Sequence, residues 1–225
     1  DVGFVFGKPA ITRLKMGNDD KWVVITHNGY NSDTNKAVLY VLDAATGALL
    51  KKIDTGATAA TGTANGLSEI LVTDVNQDGY GDLVYAGDLQ GNLWGFDLTD
   101  SSSSEWSVMH QSGSKGAPLF TARYPLANDN QLIQPITGAP SVARHPQGGS
   151  MVLFGTGKYL ETSDANVDTS RAMTLYGIWD RNTKRQSTTA TTPVAGTRAG
   201  RLVEQNFTEQ QNNVVIGDEE QSATR

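Results

Sequence analysis

The sequence predicts an all-β fold: a partial β-propeller, with quinoprotein- or WD40-like blades of four antiparallel strands in an incomplete ring. Three observations predict it. Strand-turn-strand segments recur three times, each second strand alternates aromatic with aliphatic residues and ends in Asp, and no window carries a long amphipathic helix.

The first segment pairs Trp22-Val23-Val24-Ile25-Thr26 with Ala37-Val38-Leu39-Tyr40-Val41-Leu42-Asp43, then turns at Ala45-Thr46-Gly47. The second pairs Asp82-Leu83-Val84-Tyr85-Ala86-Gly87 with Asn92-Leu93-Trp94-Gly95-Phe96-Asp97 through the polar turn Asp88-Leu89-Gln90-Gly91. The third pairs Met151-Val152-Leu153-Phe154-Gly155 with Thr174-Leu175-Tyr176-Gly177-Ile178-Trp179-Asp180. Period-two alternation bounded by Gly and Asp marks half-buried strands.

The pivots Leu39, Leu93 and Leu175 stand 54 and 82 positions apart. Propeller blades usually repeat about every 40–50 residues, so the excess is assigned to loop insertions at Ser101 to Ser104 and Asn128 to Pro135. Blades are expected at 1–56, 57–110 and 111–182, with outlying strands or loops over 183–225, among them Leu202-Val203 and Val214-Val215-Ile216. Three blades cannot close a ring, so the remaining part of the same propeller is an expected partner. A β-sandwich is the alternative, but it gives no reason for the recurring aromatic strand that ends in Asp.

Composition narrows the function. The 225 residues are 38% hydrophobic and 19% charged, with a net charge of −6, which argues against a disordered acidic tail and against a basic nucleic-acid binder. No apolar run is long enough for a membrane span. The start DVGFVFGKPA lacks a basic leader region, so any export signal is expected to be already removed. The absence of cysteine excludes disulfides, thiolate metal sites and thiol catalysis. Charge is unevenly spread, however. From Asp54 to Gly113 there is no Lys or Arg, against nine acids: Asp54, Glu69, Asp74, Asp78, Asp82, Asp88, Asp97, Asp100 and Glu105. Such an excess is costly unless water or a cation screens it.

The sequence supplies a cation motif in that stretch: Asp74-Val75-Asn76-Gln77-Asp78-Gly79-Tyr80-Gly81-Asp82. Oxygen side chains occupy positions 1, 3, 5 and 9, and Gly79 occupies position 6, as in loops of EF-hand type. Positions 1, 3 and 5 can all turn inward on one tight loop, and the glycine permits the reversal that aims the Tyr80 carbonyl at the same centre. The expected metal ligands are therefore Asp74, Asn76, Asp78, the Tyr80 carbonyl and Asp82. Calcium, which accepts six to eight oxygens in loose geometry, suits this set better than magnesium. Position 12 is Tyr85 rather than Glu, so Asp82 must close the shell. The flanks Ile70-Leu71-Val72-Thr73 and Leu83-Val84-Tyr85 read as strands, which implies a rigid clip rather than a helix-opening switch. A metal-free turn is the plainer alternative, since Asp, Asn and Gly form turns unaided.

Other motifs are weaker. Asp164-Ala165-Asn166-Val167-Asp168 and Asn31-Ser32-Asp33-Thr34-Asn35 repeat the 1, 3, 5 spacing without the glycine, and both read as polar loops. Gly155-Thr156-Gly157-Lys158 lacks the spacing of a phosphate loop. His27, His110 and His145 lie far apart and are expected at the surface or in turns. Without Gly-x-Ser-x-Gly or His-Glu-x-x-His, catalysis has no visible carrier, and the chain does not read as an enzyme.

At these residues the chain resembles the C-terminal β-propeller of the PilC/PilY family, the type IV pilus biogenesis and tip-adhesin proteins. The matching text is His27-Asn28-Gly29-Tyr30-Asn31-Ser32, then Leu39 to Asp43 with Thr46-Gly47, then the nonapeptide running into Tyr85-Ala86-Gly87-Asp88-Leu89-Gln90-Gly91-Asn92-Leu93-Trp94. Gly155-Thr156-Gly157-Lys158-Tyr159-Leu160-Glu161 and Tyr176 to Asp180 complete it, in family order. The Leu-Tyr-x-x-Asp strand alone also occurs in quinoprotein propellers. That family's larger N-terminal region, often with a von Willebrand A-like domain, is not in this sequence.

The resemblance implies a calcium-binding domain exported to the pilus tip, cell surface, or outer membrane and periplasm. It implies pilus subunits or minor pilins, and host or abiotic surfaces, as partners. It implies a role in balancing pilus extension against retraction, hence in twitching motility and adhesion. Two alternatives stand beside it: a quinone-cofactor propeller dehydrogenase, and a purely structural adhesin domain in which calcium is static.

Overall fold

The computed structural model describes residues 1–58, 64–112, 115–125, 131–166, 173–181, 206–210 and 213–217. All strand pairings among them are antiparallel. The first sheet joins β1 (Ala10–Met16), β2 (Asp19–His27), β3 (Lys36–Asp43) and β4 (Leu49–Thr58) in sequence order, which is the expected four-stranded blade. The second runs through β5 (Leu67–Thr73), β6 (Leu83–Asp88) and β7 (Asn92–Asp97). On β7 it adds both β8 (Ser107–Val108) and β11 (Phe120–Thr121). The third joins β14 (Ser141–Arg144), β15 (Ser150–Gly155) and β16 (Leu175–Asp180). Among the described residues the sheets form no closed ring.

Two-stranded ribbons fill the gaps: β9 (His110–Ser112) with β10 (Lys115–Ala117), and β12 (Arg123–Pro125) with β13 (Gln131–Ile133). The ribbon strand β13 corrects the expectation of a plain loop insertion from Asn128 to Pro135, whereas residues 128–130 lie outside the described residues. Its alternation is only three residues long, too short to register as a periodic signal. A hairpin of β17 (Asn206–Gln210) and β18 (Asn213–Gly217) contains the expected strand at Val214 to Ile216, while Leu202-Val203 lies outside the described residues. The only helical turn among the described residues is a short one at Thr162–Ala165, and no helix there is long and apolar enough to cross a membrane.

The middle sheet shows why the strands alternate as they do. Every residue of β6 is buried, and its side chains divide by parity, as the two-residue strand period requires. Val84, Ala86, Trp94 and Phe96 face the first sheet, in a core with Leu14, Val23, Ile25, Leu39, Val41 and Ile53. Leu83, Tyr85 and Leu93 face the other way, toward Val152, Phe154, Tyr176 and Ile178 of the third sheet. Phe120 bridges that second core, with ring centroids 4.9 Å from Tyr176 and 6.1 Å from Phe154. The two cores thus stack three sheets face to face. The outer face of the third sheet stays open, with Leu153 and Leu175 exposed.

Polar groups fix the register between sheets. Asn28 is fully buried; its amide donates to the Lys36 carbonyl at 2.7 Å and its oxygen accepts from Val38 N–H at 3.0 Å and Leu67 N–H at 3.1 Å. Beside it, His27 Nδ1 lies 2.8 Å from the Leu67 carbonyl. Asp88, also fully buried, gathers N–H groups from the Asn92 backbone and side chain, Trp94 and Asn65, at 2.8 to 3.3 Å. Burial pushes its carboxyl above the ordinary range, against the pull of those donors.

The three strand-ending aspartates do different work. Asp43 and Asp97 close local turns, accepting from Ala45 and Thr46 N–H and from Thr99 N–H at 2.9 Å. Asp180 reaches across the second core instead and accepts the Tyr85 hydroxyl at 2.5 Å. Two of the histidines correct the sequence expectation. His27 and His110 are 1% and 3% exposed, and burial lowers the pKa of both. Only His145 is at the surface, stacked on Trp179 with centroids 4.0 Å apart.

Candidate metal centre

The Asp74 to Asp82 nonapeptide connects β5 to β6, and strand pairing fixes both of its ends: Asp82 N–H donates to the Thr73 carbonyl at 2.9 Å. Between these ends the loop reverses through two left-handed residues, Gln77 (φ 64°) and Gly79 (φ 87°). Glycine adopts that conformation freely, which gives position 6 of the motif its physical reason.

The loop's oxygens organise its own backbone. Asp74 Oδ1 accepts N–H groups of Gln77 at 2.6 Å and Asp78 at 3.2 Å, and its Oδ2 accepts Gly79 N–H at 2.7 Å. Asn76 Oδ1 accepts Asp78 N–H at 2.9 Å, and Asp78 Oδ1 accepts Tyr80 N–H at 3.1 Å. Asp82 Oδ2 reaches back to Val75 N–H at 2.8 Å and Asn76 N–H at 3.4 Å. The structure therefore brings Asp74, Asn76, Asp78 and Asp82 into one turn, with the Tyr80 backbone between the last two. These carboxylates do not converge fully: among the described residues, no three His, Asp or Glu side chains gather closely enough to hold a metal ion by themselves.

Electrostatics bear on whether the set fits a cation. Asp82 is 8% exposed, and its carboxyl is pushed up by burial and by the charges of Asp78 and Asp74. All five donors are oxygens, and two are an amide and a carbonyl, as calcium accepts. The donor chemistry is of the kind calcium accepts, while the carboxylates are turned onto the loop's own backbone N–H groups.

Three residues outside the motif join it. Lys15 Nζ lies 3.0 Å from Asp78 Oδ2, and that contact lowers the Asp78 pKa and raises that of Lys15. The Tyr80 ring lies under Lys15 Nζ at 4.7 Å and Arg13 Cζ at 5.0 Å, while its hydroxyl donates to Asp20 at 2.6 Å. Gly81 N–H donates to the Arg13 carbonyl at 2.9 Å. Sequence reasoning missed Arg13, Lys15 and Asp20. The only available signal was the Arg-x-Lys spacing that puts two cations on one face of β1, and nothing local says which loop they meet. Beside the clip lies a cavity of about 340 Å³, walled by Lys15, Asp78, Asp82, Asp97, Leu98 and Met109.

The weaker motifs resolve as polar loops. Asp164 accepts N–H from Leu160 at 2.8 Å and Glu161 at 2.9 Å, and pairs with Lys158 at 3.2 Å. Lys158 also meets Glu161 at 3.3 Å, so its ammonium is committed to carboxylates rather than to a phosphate. Asp168 lies outside the described residues. The Asn31 to Asn35 stretch is a turn with left-handed Asn31 and Asn35, closed by Asn35 N–H on the Ser32 carbonyl.

Comparison with known proteins adds a lineage to this geometry. A sequence profile described as the PilY1 beta-propeller domain matches residues 1–219. The type IV pilus biogenesis factor PilY1 of Pseudomonas aeruginosa strain UCBPP-PA14 is 45% identical over 208 residues, covering 85% of this chain and 17% of the relative. A PilY1 homolog of Xylella fastidiosa is 39% identical over 188 residues, covering 80% of this chain and 12% of that protein. The crystal structure of the Pseudomonas aeruginosa PilY1 C-terminal domain superposes with a TM-score of 0.69 at 45% identity, over 83% of this chain and 39% of that one. The chain thus spans less than a fifth of the length of these curated relatives.

Proposed function

The chain belongs to the PilY1 β-propeller family, and from that premise we propose that it is a calcium-binding regulatory module of a type IV pilus biogenesis factor. The observation that carries the calcium reading is the Asp74 to Asp82 loop. Four oxygen side chains in metal-loop phase fold onto one turn between two strands, and Asp82 among them is buried. Bound calcium would supply a fixed double positive charge at that turn.

The chain's own residues set what that charge acts on. Asp74 holds the turn, Asp82 ties its start to β6, and Tyr80 carries its far side onto the first sheet through Asp20. Occupancy would therefore stiffen the junction between two blades rather than open a helix pair. In the pilus, this module would bias extension against retraction, and with it twitching motility and surface attachment. Its partners would be pilus subunits or minor pilins and the surfaces the pilus meets. It would act after export, at the pilus tip or cell surface.

The test is genetic. Cells making the full-length protein with Asp78→Ala, at normal protein levels, are expected to show altered piliation and twitching. Unchanged piliation and twitching would reduce calcium to a static staple and remove the regulatory role.

A further inference from the structure

Lys15 stands on β1, sixty-three residues before Asp78, with more than half of its side chain exposed, yet its ammonium lies 3.0 Å from the outer oxygen of that carboxylate. Nothing in the strand pairing requires this contact. Two residues earlier, Arg13 projects from the same strand face, 3.6 Å from Asp20 and 5.0 Å from the centre of the Tyr80 ring. The first sheet therefore presents two cations to a loop that is built from cation-seeking oxygens. One of them already neutralises an expected ligand.

On the reading that the loop holds calcium, we infer that Lys15 is a built-in competitor for the clip. Its ammonium is the counter-ion of Asp78 in the calcium-free protein, and calcium must displace it to use that oxygen. The displaced ammonium has a place to go: it already lies 4.7 Å from the centre of the Tyr80 ring, and it lines the cavity that also holds Asp97. Calcium entry thus breaks the Lys15 contact with the loop carboxylate and leaves the one with the Tyr80 ring. The affinity of the clip is set partly by a residue of the neighbouring blade. An exposed lysine-carboxylate pair is worth up to about fivefold in an equilibrium constant, and salt screens it.

Calorimetric titration of calcium into the wild-type chain, Lys15→Gln and Lys15→Arg tests this. Lys15→Gln is expected to bind calcium roughly twofold to fivefold more tightly, and the gap from wild type is expected to narrow as salt is raised. Lys15→Arg, which keeps the charge, is expected to stay near wild type. A wild-type chain that binds calcium while Lys15→Gln binds it equally or more weakly would overturn the competitor role and leave the calcium site standing. Tightening by Lys15→Arg equal to that of Lys15→Gln would overturn it too, since charge would not be the cause. A wild-type chain that binds no calcium would remove the site and this role together.

Discussion

Tyr85 and Asp180 meet at 2.5 Å across ninety-five residues of chain, hydroxyl to carboxylate, in the interior between the second and third sheets. Burial pushes the Tyr85 hydroxyl far up in pKa, so it remains a donor at any ordinary pH. The contact is the polar counterpart of the apolar core around it. Tyr85→Phe keeps the ring and deletes only the donor. Hydrogen bonds to charged groups contribute about 1.5–3 kcal/mol, which corresponds to roughly 3–12 °C of melting temperature for a chain of this size. Thermal unfolding is expected to show a drop in that range. An unchanged melting temperature would mean that the hydroxyl is not holding the two sheets together.

Asp88 should tolerate no loss of an acceptor oxygen. All of its described partners are N–H donors, so Asp88→Asn turns one acceptor into a donor that faces them. A cost of roughly 2–5 kcal/mol is expected from chemical denaturation, on the scale of breaking a buried charged network. A midpoint equal to wild type would contradict the reading of Asp88 as the hub of the β6–β7 turn.

Stability should fall as pH drops below neutrality. Burial lowers the pKa of both His27 and His110 in the folded chain, whereas the unfolded chain protonates them near 6.5. The unfolded state then binds more protons between the folded values and 6.5, so stability from this source is complete above that window and is lost as pH falls through it. Among the described residues neither ring nitrogen of His110 has a hydrogen-bond partner, so His110→Leu removes a titrating group at little hydrogen-bonding cost. Denaturant midpoints of this variant between pH 7.5 and 5 are expected to fall less than those of wild type. An identical pH slope would exclude His110 as a contributor.

Asp43 should titrate unusually low. The Lys21 ammonium at 2.7 Å, followed by the Thr46 N–H, holds its carboxyl at about 2. Its contribution is present above the ordinary Asp value and is lost as pH falls toward 2. Carboxyl NMR titration should find that midpoint, and Lys21→Gln should move it up toward the ordinary range. An ordinary midpoint in the wild-type chain would show that the ion pair does not persist in solution.

What the sequence reveals and what it hides follow from interaction range. Period-two alternation made β2, β3, β6, β7, β15 and β16 legible, because each is long and bounded by Gly or Asp. The edge strand β1 was not, since its apolar residues are diluted by Thr12, Arg13 and Lys15. The metal-loop spacing was legible because all of its members lie within nine residues. The embrace of Tyr80 by Arg13, Lys15 and Asp20 depends on contacts sixty residues apart, which no local pattern encodes. His27 and His110 were misplaced for the same reason. Their burial is decided by sheets stacking from elsewhere in the chain.

Thermal unfolding of the chain in chelator and in rising calcium, with magnesium and Asp78→Ala as controls, tests whether the Asp74 to Asp82 loop holds calcium. Ligand at about 100 times its dissociation constant stabilises a fold by roughly 2.7 kcal/mol, or about 5–10 °C here. A rise of that order is expected, selective for calcium and lost in Asp78→Ala. The same melting temperature in chelator and in calcium would make the loop a plain turn held by its own hydrogen bonds, and would contradict the calcium-dependent role built on it.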